Sequence, residues 1–253
     1  MWEFSLNLKT ENFELAKFLH NNFSSNCKKW NAVVTSVEQN GFISVLIAVE
    51  NKHKEILQNY LKNCIVEVIC TVFKSSFLDR NLFLPLQDKL GINAFKKALL
   101  NFDKETDRYL VKRNLTLQND LFLESFYQFR LSVLKNKWQE LVTLANENRE
   151  YLTSSESFLD LLKFLVDNLE ICEEEISIYK DNEENYQILI SDKLYQNKVF
   201  SEDSLVSSII DLSPQKINLY CDEDSRAINL LHCLFEDRIT DKKKMFINEI
   251  SKI

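Results

Sequence analysis

Residues 2–8 (WEFSLNL) alternate Trp2, Phe4, Leu6 and Leu8 with polar neighbours, the period of a half-buried strand. Over 11–29, Phe13, Leu15, Ala16, Phe18, Leu19 and Phe23 fall at helical spacing. WNAVVTSV (30–37) and GFISVLIAV (41–49) are β-branched runs on either side of Asn40-Gly41. Asn-Gly between such runs predicts a hairpin, because both central residues of a type I′ turn need positive φ. A helix is predicted from about 51 to 74, so the N-terminal part reads β-α-β-β-α.

The middle of the chain is helical. DKLGINAFKKALLNF (88–102) follows Pro85, with Gly91 expected at a break between helical pieces. A long central helix is predicted from about Asn119 to Asn148, where Phe122, Phe126, Phe129, Val133, Leu134, Trp138, Leu141 and Ala145 recur three or four apart. At 1.5 Å per residue it would be about 45 Å long. Thr153 and Glu156 have capping-box spacing ahead of a helix over FLDLLKFLVDNL (158–169).

The last third changes period. ISIY (176–179) and YQILI (186–190) predict a second hairpin around KDNEEN. Ser201 and Asp203 can cap a helix over SLVSSIIDL (204–212) that Pro214 ends. INLYC (217–221) and DRIT (237–240) are strand-like, and Asp222, Glu223 and Asp224 open a helix over AINLLHCLF (227–235). The fold class is therefore α+β. Three packed lobes are expected: an α+β lobe over 1–86, a helical middle over 87–172, and an α+β lobe over 173–253. The pattern leaves open whether the two sets of strands share one sheet.

Composition narrows the chemistry. Two glycines, Gly41 and Gly91, stand far apart. Phosphate-cradling loops, dinucleotide fingerprints and nucleophile elbows all need clustered glycines, so none can be built. A net charge of −7 lacks the basic footprint of strong nucleic-acid binding. The one dense basic run, Lys242-Lys243-Lys244, reads as a solvated tail. The start, MWEFSLNLKTENFE, lacks a basic and an apolar signal region, and CIVEVICTVF (64–73) is too short and too charged to span a membrane. A cytoplasmic protein is expected, its six cysteines reduced and mostly buried.

Each candidate site has a plainer reading. Cys64 and Cys70 face away from each other on a helix. Cys221, His232 and Cys233 are the one cluster of soft ligands, but adjacent helix residues diverge by about 100°, so no metal is expected. Glu173-Glu174-Glu175 and Asp222-Glu223-Asp224 read as solvated carboxylates rather than a hard-cation site. His20, His53 and His232 stand beside no nucleophile motif, and Ser207-Ser208 lacks a glycine elbow. Phe122, Phe126, Phe129 and Trp138, with Arg130, Lys135 and Lys137 nearby, could stack nucleic-acid bases, but core spacing is the plainer account. No cofactor is expected.

From about residue 119 the order of motifs resembles the YtxC-like family of sporulation proteins from endospore-forming Firmicutes. FYQFRL (126–131) resembles its Phe-x-x-Phe-Arg-Leu segment, and FLDLLKFLVDN (158–168) its apolar helix. ISIYKDNEENYQILI (176–190) resembles its strand–turn–strand with an acidic turn. SEDSLVSSIIDLSPQKINLY (201–220) and LLHCLFEDRIT (230–240) resemble its acidic helix–strand stretch and its closing segment. The chain departs at its end, DKKKMFINEISKI, where some members carry a cysteine-containing tail. The resemblance implies a setting, endospore formation, rather than a reaction.

Resemblance and absent catalytic motifs together point to a non-enzymatic cytoplasmic protein that binds another protein. Phe129 and Arg130, beside the aromatic stripe, are the candidate contact residues. A nucleic-acid-associated regulator would instead need a basic face, and an enzyme would need a site assembled between lobes.

Overall fold

The computed structural model describes residues 1–83, 88–147, 155–181, 185–191, 193–221 and 225–242. The fold is α+β. In chain order its elements begin β1 (Trp2–Lys9), α1 (Phe13–Asn26), β2 (Val33–Gln39), β3 (Phe42–Val49), α2 (Lys54–Val68) and α3 (Lys74–Asn81). Then come α4 (Lys89–Asn101), α5 (Lys104–Asn114), β4 (Asp120–Phe122), α6 (Leu123–Arg130), α7 (Ser132–Glu147) and α8 (Ser155–Asp167). The last are β5 (Glu173–Lys180), β6 (Tyr186–Ile190), β7 (Lys193–Leu194), α9 (Glu202–Leu212), β8 (Pro214–Leu219), α10 (Arg226–Phe235) and β9 (Ile239–Asp241). The described strands form two separate sheets.

The chain divides into two compact units, each discontinuous in sequence. The first is Met1–Phe77 with Glu105–Glu140; the second is Leu78–Lys104 with Leu141 onward.

In the first unit the sheet order is β2-β3-β1-β4, with β1 antiparallel to β3 and parallel to β4. Asn40 and Gly41 take positive φ (53° and 78°) and join β2 to β3, as Asn-Gly requires. Trp2, Phe4, Leu6 and Leu8 of β1 and Ile43, Val45, Ile47 and Val49 of β3 are buried on one face, where the helices pack. The helix after β3 outruns its expected end. It passes through a π turn at Ile69–Phe73 and continues to Asn81.

Two expectations are corrected by packing. The single helix expected from about Asn119 to Asn148 is a strand and two helices. Ser5 N–H donates to Asn119 O at 2.8 Å, and Asp120–Phe122 pair with Ser5–Asn7, so sheet hydrogen bonds override the helical period there. The second interruption is Leu131, which leaves helical geometry (φ −113°, ψ 36°) and is buried. Gly91 is not at a break but inside α4. A Cβ there would stand 3.1 Å from the Phe158 ring, so glycine lets the helix approach α8 closely.

In the second unit the order is β7-β6-β5-β8-β9, with β5 antiparallel to β6 and parallel to β8. Ile176, Ile178, Ile188, Ile217 and Leu219 are buried, and α4 packs on α8 and α9. The predicted hairpin, the helices over 158–169, 204–212 and 227–235, and the last strand are all present. Ser213 takes positive φ (37°) and ends α9, so Pro214 opens β8 rather than stopping the helix itself. Ser225 caps α10, its Oγ accepting from Ile228 N–H at 3.2 Å. Pro85, Thr153 and the carboxylates at 222–224 lie outside the described residues.

Candidate functional site

The β4–α6–α7 corner of the first unit is built from both ends. At the start of α6, Glu124 Oε1 accepts from Lys9 N–H (3.0 Å) and Asn12 Nδ2 (2.6 Å), which ties the helix to the end of β1. Phe126 and Leu131 turn inward. Tyr127 packs on Phe73 and Trp138, with ring centroids 4.8 and 6.1 Å away. At the other end Lys135 Nζ donates to Gln128 O at 2.7 Å, holding a carbonyl left open at the C-terminus of α6. Lys135 also lies 5.7 Å from the Tyr127 ring centroid.

Burying Leu131 leaves Phe129 and Arg130 pointing out. Phe129 is 75% exposed and Val133, on the next turn, 64%. Arg130 is exposed, and among the described residues it has no hydrogen-bond or ion-pair partner. The expected aromatic stripe is thereby split: Phe126 and Trp138 belong to the core, while Phe122 and Phe129 are exposed. A continuous stacking platform does not form. Of its three nearby cations, Lys135 and Lys137 are committed to protein groups and Arg130 is free.

Beneath the corner lies a charge cluster that the sequence reading missed. Asp107 is fully buried on α5, and its Oδ2 accepts from Lys74 Nζ (2.7 Å) and Trp138 Nε1 (3.0 Å). Its Oδ1 accepts from Lys137 Nζ at 2.7 Å. Burial lowers Lys74 from its ordinary value, and the neighbouring Asp107 carboxylate opposes that shift. Beside it Arg108 donates to Glu67 and Glu105, at 2.7 and 2.6 Å, and these bonds raise the guanidinium further. The available signal was the spacing of Asp107 and Val111, four residues apart on one helix face.

The remaining candidates do not converge. Burial pushes the Cys27 thiol up to about 11 and Cys70 up to about 12, so neither is a nucleophile near neutral pH. Cys221 is buried whereas Cys233 is exposed, and no group of three or more His, Cys, Asp or Glu among the described residues is placed to hold a metal ion. The hydroxyls of Ser207 and Ser208 donate back to Ser204 O. His20 lies in α1, His53 just before α2, and His232 in α10. Among the described residues, no helix is long and apolar enough to cross a membrane.

Residues 100–240 match the YtxC-like family, more than half of the chain. The chain belongs to the YtxC-like family. The YtxC-like match takes in Asp107, Lys137 and Trp138 of the buried cluster, the Phe129–Arg130 corner, and the described strands of the second sheet as far as Thr240. It begins upstream of the motifs legible by eye and leaves β1–β3 and α1–α3 outside. No curated protein and no solved structure matches the chain.

Proposed function

We propose that this YtxC-like protein is a sporulation-associated cytoplasmic protein that acts by binding another protein, without catalysing a reaction itself. The observation that supports this reading is the corner at Phe129–Arg130. A large apolar ring and an unpaired guanidinium, at adjacent positions, are both exposed on a backbone fixed by Glu124, Leu131 and Lys135. Exposed Phe beside free Arg suits a partner that offers an apolar pocket edged by a carboxylate, since aromatic and arginine side chains dominate binding energy at interfaces.

The test is quantitative cross-linking mass spectrometry on tagged protein from sporulating cells, comparing the native sequence with Phe129→Ala/Arg130→Ala. Both side chains are exposed, so the double variant should fold normally. A partner captured in stoichiometric amount by the native protein should fall about tenfold in yield with the variant, as expected for loss of ~1.4 kcal/mol or more at a hot spot. Equal capture by both proteins, together with normal spore yield, would remove this surface from the function.

A further inference from the structure

The outer face of the second sheet carries an acidic concavity. Along β5, Ile176 and Ile178 are buried in the core while Glu175 and Ser177 alternate to the other face. Their neighbours on β8 are Lys216 and Asn218. A concavity of about 620 Å³ opens there, lined by Glu173, Glu174, Glu175, Ser177, Asn218 and Tyr220 among others, none of them cationic.

Asn218 is only 4% exposed. Its Nδ2 donates to Glu175 Oε1 at 2.5 Å, and Lys216 Nζ donates to the same oxygen at 2.9 Å. Its Oδ1 is buried and accepts no hydrogen bond. Buried acceptors are ordinarily paired, so this oxygen calls for a donor. The Glu173 and Glu174 carboxylates have no hydrogen-bond or ion-pair partner among the described residues. Tyr220 stacks on Tyr179 at 4.5 Å, adding aromatic surface to the same strands. The Asn218 oxygen and the Glu173 and Glu174 carboxylates are open acceptors, beside the hydroxyls of Ser177 and Tyr220, and the carboxylates form no group among the described residues that is placed to hold a metal ion.

We propose that this concavity binds an arginine side chain presented by a basic segment of a partner protein. A guanidinium carries five donors in a planar fork, so it can serve the Asn218 amide oxygen and a carboxylate together while lying against an aromatic ring. A lysine ammonium offers a more strongly hydrated point charge and matches fewer of these acceptors. The site lies in the second unit and does not depend on the Phe129–Arg130 corner.

The test is an NMR titration of the full-length, nitrogen-15-labelled protein with an acetylated Gly-Arg-Gly-Arg-Gly amide peptide, alongside its lysine and citrulline counterparts. Saturable shifts should map to the amides of Ser177, Asn218 and Tyr220, the lysine peptide should bind more weakly, and the citrulline peptide should not bind. Asn218→Leu, which removes the unpaired oxygen at similar volume, should weaken binding about tenfold. Glu173→Gln/Glu174→Gln changes only charge at a strand end and should weaken it several-fold, so the proposal stays testable if the buried variant misfolds. Shifts that never saturate or that map elsewhere would overturn it, as would undiminished affinity in well-folded Asn218→Leu. Spermidine competing as strongly as the arginine peptide would overturn the assignment to a protein partner.

Discussion

Asp107 accepts from three donors while fully buried, and two of them are lysines. A carboxylate in that position is held by its partners, and the partners by it. Taking the charge away removes the carboxylate that faces the Lys74 ammonium, which is 1% exposed. Asp107→Asn should therefore lower unfolding free energy by about 3–5 kcal/mol, the range for breaking a buried pair. Guanidinium denaturation followed by tryptophan fluorescence reads this directly. Adding Lys74→Met should restore much of the loss, because the buried positive charge is then gone; a loss below about 1 kcal/mol in the single variant would show the cluster to be well solvated. The same residue sets a pH sign. Burial lowers Lys74 below its ordinary 10.5, so the unfolded chain holds that proton more tightly. This contribution to stability rises with pH between the folded and unfolded values. In KETDRYLVKR the spacing of Asp107 and Val111 puts both on one helix face, but neither the pairing nor its sign was legible there.

At the scale of elements, local rules worked where both partners of an interaction are close in sequence. The β2–β3 hairpin is the clearest case, since its register follows from a two-residue turn between alternating runs. Gly41 carries that turn at φ 78°. Gly41→Ala should cost about 1–2 kcal/mol through the left-handed conformation alone, because nothing stands near enough to clash with the added Cβ. Thermal melts should show the loss, and Asn40→Gly, which relaxes the same turn, should not. Local rules failed where a distant strand or core decided the backbone. The 119–148 stretch has a helical period throughout, yet pairing with β1 straightens its start and burial of Leu131 bends its middle. The π turn at Ile69–Phe73 leaves Val68, Ile69 and Cys70 consecutively buried, a pattern that no regular helix in an amphipathic setting predicts.

At the scale of the molecule, each unit is assembled from two separated stretches of the chain. The first needs Glu105–Glu140 to supply β4, Asp107, Leu131 and Trp138 to a core begun by residues 1–77. A fragment ending at Lys104 should therefore lack cooperative unfolding. Hydrogen exchange would show β1–β3 unprotected in it and protected in the full chain, whereas protected strands in the fragment would mean that the first sheet folds without β4. The sequence by itself determined the α+β class, the two hairpins, most helix positions, the absence of glycine-built phosphate loops and, from residue 119 on, the family resemblance. Those features rest on periodicity and turn chemistry within a few residues. Tertiary structure alone decided that the strands form two sheets, that Gly91 serves a close approach to Phe158, and that Phe129 and Arg130 are turned outward. It also paired Asp107 with Lys74 across 33 positions and left the Asn218 oxygen buried without a donor. Each of these depends on which distant groups arrive beside a residue, and no local spacing encodes that.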